Sequence, residues 1–425
     1  MITQCFEHSI EKICIPSDKY KPKKIAIFLP EVFRGGMLRR AKNIAKMIHL
    51  GSLYHEEPLE VVFSCCQGSY SLGETFSDLL KLGISIRETC WKKISKKEVQ
   101  IIGNFRPIQK ELLFEEYLLP TDGMNNFFDC DFWLLISDHT ALPLAPIFPY
   151  GVFVYEYMQR YVPELFTDRY EKGYFSTARN ANFVLATNPQ TLNDAIQYAG
   201  INAKKIFLAP MAFDLPIKPS SLTSLHDKKY ILWVTNAALR KNHMRALRAF
   251  ELFYREHEGK FDVIILGTGT ELFKDFSSAN PSSYAREIAH KIEMSSVLKK
   301  KCHILGEVTE TEYSNYLSQA QFLWVPDLTH AGSISAIESA YLKIPCLSSD
   351  NPSMRFIDNR FNLNLLFCDP YDVDEMAKKL KLMEKEVAAR KDLLPNPNCL
   401  EKYTVEKLAP EFWTFINNQL SLCKL

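Results

Sequence analysis

Apolar residues in this chain gather into short unbroken runs separated by longer stretches of a different period. The runs are Lys24–Leu29, Leu59–Ser64, Asp131–Ile136, Val152–Tyr155, Phe183–Ala186 and Lys205–Leu208 in the first half. The second half has Tyr230–Val234, Phe261–Leu266, Cys302–Leu305, Gln321–Val325 and Ile344–Leu347. Their apolar residues are consecutive and not alternating, as in strands buried on both faces of a parallel sheet. Between them lie segments with apolar residues three and four apart, the spacing of one helix face. Met37–Leu50 carries Leu38, Ala41, Ala45 and Ile48 at that spacing, and Gly332–Leu342 carries Ile334, Ile337 and Tyr341. Gln190–Gly200, His243–His257, Tyr371–Ala389 and Val405–Leu422 are further predicted helices. Strand alternating with helix predicts an α/β fold with parallel sheets. Residues 65 to 125 show no clean period and are expected to mix short helices and loops.

Turn chemistry divides the pattern. Pro216–Asp227 (PIKPSSLTSLHD) is rich in proline and serine and reads as a linker. Three parts follow: a Rossmann-like unit over 1–215, a second over 228–400, and a C-terminal helix over 401–425 expected to cross back onto the first. The first strand feeds PEVFRGG, a turn ending in Gly35-Gly36, and Phe261–Leu266 feeds Gly267-Thr268-Gly269. Neither spells G-x-G-x-x-G, which argues against a dinucleotide oxidoreductase.

Composition narrows the class. A chain of 425 residues with 47% hydrophobic and 24% charged residues can bury two sizeable cores. Its net charge of +1, nearly balanced in each half, leaves no electrostatic footprint for nucleic acid. The basic clusters Lys21–Lys24, Arg34–Arg40 and Lys92–Lys97 are read as solvated surface, with anionic lipid as the alternative. The eleven cysteines form no Cys-x-x-Cys pair and read as reduced thiols. The first twenty residues lack a continuous apolar core and no run is long enough to span a membrane, so a cytoplasmic location is expected.

Candidate chemistry sits where strands end. Ligands bind open α/β sheets outside the strands' carboxyl ends. His139 follows Asp131–Ile136 at such an end. Asp129-Cys130-Asp131 spells D-x-D but precedes its strand, so no metal site is expected there. Glu338 is a lone carboxylate on an apolar helix, costly to bury without a partner. Ahead of it the turn through Gly332, Ser333, Ile334 and Ser335 offers helix N–H groups, a seat for phosphate.

The stretch QFLWVPDLTHAGSISAIESAYLKIPCLSSDNPSMRFID, Gln321–Asp358, resembles the donor-binding signature of retaining glycosyltransferases of the two-Rossmann-domain (GT-B) architecture, above all family four. That signature carries two Glu residues eight apart. Glu338 matches the second, and His330 stands at the place of the first. LKIPCLSS is similar to the family's G-x-P-x-x-x-S continuation, with Lys343 in place of Gly.

The resemblance implies further positions. The Gly35-Gly36 loop would let backbone approach donor and acceptor. An Arg and a Lys after the first strand of the second domain would neutralise the diphosphate. Here Asn236 holds the Arg position, Lys241 the Lys position, and Arg240 is a substitute cation. Gly306 and Val308 would meet the base, Glu338 the ribose, and His330 and His139 the donor sugar. The implied activity is transfer of a sugar from a nucleotide-diphosphate donor to a hydroxyl of a glycan or glycolipid, with retention and without metal or other cofactor. Polysaccharide or lipopolysaccharide assembly at the inner face of a membrane is the implied setting. Two readings stand beside it: a catalytically silent relative that binds nucleotide sugar or glycan, and a nucleotide-sugar epimerase.

Overall fold

Two parallel sheets carry the chain. The computed structural model describes residues 24–103, 111–165, 171–216, 226–274 and 283–422. The middle of the linker, 217–225, and Lys21 to Lys23 lie outside the described residues. The first sheet contains β1 (Lys24–Phe28), β2 (Glu60–Cys66), β3 (Ser85–Ser95), β4 (Glu116–Thr121), β5 (Phe132–Ile136), β6 (Tyr150–Val154), β7 (Phe183–Ala186) and β8 (Ile206–Leu208). Their order is β4-β3-β2-β1-β5-β6-β7-β8. The second contains β9 (Tyr230–Val234), β10 (Asp262–Leu266), β11 (Cys302–Gly306), β12 (Phe322–Val325), β13 (Cys346–Ser349) and β14 (Leu366–Cys368), in the order β11-β10-β9-β12-β13-β14. Every residue of β5, β6, β10 and β12 is buried, which is why these strands read as continuous apolar runs.

Helices cover both faces. Those that shape the site are α1 (Gly35–Tyr54), α2 (Pro189–Gln197), α3 (His243–Arg255), α4 (Glu310–Gln319), α5 (Ile334–Tyr341), α6 (Pro352–Phe361) and α7 (Val373–Leu393). A last helix, α8 (Val405–Leu422), lies along α1. Phe412, Trp413 and Ile416 of α8 enter the same core as Ile44, Met47 and Ile48 of α1. Phe213 bridges Thr404, so the chain leaves the first unit and returns to it at one point.

The stretch from 65 to 125 holds the expected short helices, over Leu72–Thr75, Ser77–Lys81 and Lys96–Gly103, but also the strands β3 and β4, which pair antiparallel at the sheet edge. Most of β3 is half-buried or exposed, so its side chains had no core to make them apolar. Helix α6 has no counterpart among the helices predicted from the spacing of apolar residues. Asn351 caps it by accepting from Met354 N, and Pro352 takes the first turn, where its missing N–H costs nothing. The basic cluster Arg34–Arg40 is not simply solvated surface, because Arg40 is buried and Arg39 is ion-paired across the domains. Among the described residues no helix is long and apolar enough to cross a membrane.

Loops and helix starts beyond the carboxyl ends of the two sheets meet. A Cβ on Gly35 would sit 3.9 Å from Thr268 Oγ1. The loop before α5 is held from the first domain. Asn188 donates to Ala331 O (3.3 Å), and Arg40 Nη2 lies 3.5 Å from Gly332 O. Ser353 at the start of α6 bonds Gln190 of α2 at 3.1 Å.

Candidate active site in the interdomain cleft

The second domain builds its half of the site on β9 and β12. After β9 the chain makes a short turn through Asn236, whose Oδ1 accepts from Ala238 N. Asn236 thus shapes the loop from the position where the family carries a cation. The turn ends at Asn242, in the left-handed region at φ 61°, and Asn242 Nδ2 pins it by donating to Pro326 O and Pro370 O. This fixes Arg240 and Lys241 at the end of β12, where Asp327 follows Pro326.

Asp327 is the hub of the site and was missed by sequence reasoning. It is 1% exposed. Lys241 Nζ donates to Oδ2 at 2.5 Å, His330 Nε2 lies 3.4 Å from the same oxygen, and Arg240 Nη1 lies 3.8 Å away. Oδ1 is buried without a partner. Burial alone would raise the Asp327 carboxyl, but Lys241 holds it below its ordinary value. Burial pulls the Lys241 ammonium below its ordinary value although Asp327 beside it opposes that. The only sequence signal for Asp327 was a lone carboxylate just past a buried strand.

His330 is neutral. Burial, then Lys241, pulls it down to about 3, and its Nδ1 has no partner. His139 stands three residues past β5, where its amide donates to Ser137 Oγ and its Nε2 is 3.9 Å from Asp138 Oδ1. Ser137 beside it takes φ 99°, a strained value for a residue with a side chain.

Glu338 is paired across the domains. Arg39 Nη1 of α1 reaches its Oε1 at 2.7 Å, and Tyr313 of α4 donates to Oε2 at 2.6 Å. Arg39 also lies over the Tyr313 ring, 4.9 Å from the centroid. The carboxylate that the resemblance gives to the ribose is therefore held by an arginine of the opposite domain. Ser333 caps α5 by accepting from Ala336 N, while the Ile334 side chain is buried in the core. Ser335 lies beside Tyr313. Gly332 takes φ 97°, and a Cβ there would meet Met211 Cε at 2.8 Å.

Other positions divide. Gly35 takes φ 53° and faces Thr268, whereas Gly36 borders open space. Gly306 takes φ 91° and its carbonyl accepts from Gly267 N, while Val308 packs partly buried on the core. Lys343 adopts φ 61°, a conformation that favours glycine, the residue of the resembled signature at this place. Arg160 pairs with Asp194 of its own domain at 2.7 Å. Asp129 is held by Arg87 and Lys24, and Asp131 accepts from Lys24 N, so the D-x-D residues tie the amino ends of the central strands β1 and β5 to β3.

The first domain adds two groups with no sequence signal. Arg40 lies 5.8 Å over the Tyr155 ring. Glu156, just beyond β6, has a buried Oε2 without a partner. Burial raises its carboxyl, while Arg240 and Lys241 of the opposite domain act against that rise.

These burials set a pH dependence. Burial holds His330 at about 3, His243 at about 3 and His139 at about 4, against an ordinary 6.5. Between 6.5 and these values the unfolded chain binds protons that the folded chain refuses, so stability is full above 6.5 and falls on acidification. Asp138 acts oppositely. Burial raises it from 3.8 to about 7, so its neutral form favours the fold at the acid end. Three imidazoles outweigh one carboxyl. The melting temperature is expected to drop from pH 6.5 toward pH 4, less steeply in His330→Gln, as read by calorimetry across that range.

Residues 216–396 match the family Glycosyl transferases group 1. No curated protein sequence matches the chain. Among solved structures, HepE of Anabaena in complex with UDP and glucose superposes with a TM-score of 0.66 at 13% identity, covering 94% of this chain and 100% of that one. Sucrose-phosphate synthase of Thermosynechococcus elongatus gives 0.64 at 12%, with coverage of 94% and 100%. The lipopolysaccharide outer core galactosyltransferase WaaB gives 0.53 at 14%, with coverage of 93% and 99%. At such identities the likeness is one of fold, the two-sheet GT-B architecture.

Proposed function

We propose that the protein is a glycosyltransferase that moves a sugar from a nucleoside diphosphate sugar to a hydroxyl of a glycan or glycolipid, with retention at the anomeric carbon and no metal in the transfer. One observation carries this reading. Arg240 and Lys241 of β9's loop close on Asp327 beside His330, at the end of the sheet where Arg40 reaches Gly332 O and the Glu156 carboxyl feels both cations. Departure of the diphosphate is the difficult step, and fixed cations with helix N–H groups stabilise the charge as it develops. Lys241 would exchange Asp327 for a phosphate oxygen. Glu338 would release Arg39 and accept from the ribose. Neutral His330 can donate from one ring nitrogen and accept at the other, which suits a sugar hydroxyl. The free Glu156 oxygen joins it as a second acceptor at the sugar.

HepE has been solved with UDP and with UDP-glucose, which makes uridine the first base to try. The proposed setting is assembly of a cell-surface polysaccharide or lipopolysaccharide, with the protein cytoplasmic or bound peripherally to the membrane's inner face.

A second reading, a silent binder, draws on the pairing of Lys241 and Glu338 with protein partners and on Asn236 and His330 at altered positions. Thermal stabilisation separates the outcomes. A nucleoside diphosphate at about a hundred times its Kd should add about 2.7 kcal/mol. Stabilisation by UDP, with release of UDP from a UDP-sugar on addition of acceptor, supports the transferase. Stabilisation without turnover over a broad acceptor panel favours the binder, and no stabilisation by any nucleotide refutes the donor site.

A further inference from the structure

We propose that His226, Asp262 and His303 form a site for a zinc-like divalent transition metal, on the end of the second domain opposite the cleft. Asp262 opens β10, His303 is the second residue of β11, and His226 lies where the chain enters the second domain ahead of β9. The strands are parallel, so these amino ends face away from the loops that build the cleft. The site is independent of the proposed transfer.

The geometry is that of ligands closing on one point. His226 Nε2 and His303 Nε2 lie 3.1 and 3.2 Å from the same oxygen, Asp262 Oδ2. The three ligand atoms lie within 4.8 Å of one another, and no other such group of His, Cys, Asp or Glu occurs among the described residues. Zinc with bonds of about 2.0–2.2 Å sets tetrahedral ligands roughly 3.3 Å apart. The observed separations from Oδ2 match that value with little movement. The imidazole rings are 4.7 Å apart, tilted by 58°, and belong to segments far apart in sequence.

The donor set names the metal class. Two imidazoles and a carboxylate suit zinc and its neighbours, whereas calcium and magnesium demand oxygen shells. Asp262 is 1% exposed, and its other oxygen accepts from Lys301 Nζ at 2.9 Å. Lys301 is anchored on Lys260 O and so orients the carboxylate, as outer partners of metal ligands do. Lys228, 3.7 Å from Oδ2, has a side chain 60% exposed and swings into solvent when a cation enters. A fourth position remains for water. Binding would clamp the entering chain to β10 and β11, a local brace for the domain.

The test uses tag-free full-length protein stripped with chelator and titrated with zinc chloride by calorimetry. The expected result is one equivalent bound, with a melting temperature that rises with zinc. Cobalt(II) should give the intense visible absorption of a four-coordinate ion. His303→Ala and His226→Ala each lose a ligand and should weaken binding by more than the about 10–100-fold that outer partners are worth. Their circular dichroism should match the wild type. Absence of binding to the wild type, or binding unchanged in both variants, overturns the site.

Discussion

Lys241→Ala is expected to lose about 3 kcal/mol of stability together with the response to nucleoside diphosphate. Lys241 and Asp327 are 8% and 1% exposed and share the 2.5 Å contact at the end of β12. Removing one partner of a buried pair leaves an uncompensated charge, at a cost of about 3–5 kcal/mol. Arg240 at 3.8 Å and the neutral His330 ring at 3.4 Å remain near the carboxylate and set the loss at the lower end. Urea denaturation reads the first effect and thermal shift with UDP the second. Lys241→Met combined with Asp327→Asn removes both charges and should recover most of the stability, since a neutral pair of similar volume needs no counter-charge. The nucleotide response should stay lost. A double variant that still responds to UDP would show that Lys241 is not the diphosphate cation. An unchanged urea midpoint in Lys241→Ala would show that the pair is not formed.

Gly51→Ala is expected to destabilise by about 2 kcal/mol. Gly51 lies where α1 crosses α8, and a Cβ there would stand 2.2 Å from Ala409 O and 2.4 Å from Trp413 Cβ. One contact is backbone and the other a Cβ fixed to it, so no rotamer change relieves them and the helices must separate. Overpacking of this kind costs about 1–3 kcal/mol, and alanine's helix propensity returns up to about 1 kcal/mol. Limited proteolysis should then release α8 faster than in the wild type. Gly73→Ala, with nothing within 4 Å, is the control. The effect reaches the cleft, because α1 also carries Arg39 and Arg40. A variant as stable and as protease-resistant as the wild type would mean that α8 does not sit on α1 in solution.

The strands were legible because parallel sheets bury them on both faces. After their first charged residues KIAIF and DVIIL are apolar throughout, as is YILWV, and each read as a continuous run. β3 failed that reading because it runs to the sheet edge with half of its side chains in water. Helix α6 failed because Asn-Pro reads equally as turn and as cap plus first turn, and only the Asn351 bond to Met354 N distinguishes them. Glu338 stood out as a charge on an apolar helix, and Lys241 was marked only by the resemblance. Asp327 and Glu156 did not, because a single acid after a strand is common and only burial made these two unusual.

The sequence by itself determined that there are two strand-and-helix units, which strands lie inside, and that the glycine turns and the α5 start lie at strand ends. Those features are local, set by periodicity and turn chemistry over a dozen residues. Tertiary structure alone decided which charges meet. Lys241 finds Asp327 86 residues away, Arg39 finds Glu338 299 residues away, and His226 and His303 converge on one oxygen of Asp262. Coulomb attraction acts through distance and surrounding dielectric, and both are created only when the sheets and their loops close on one another.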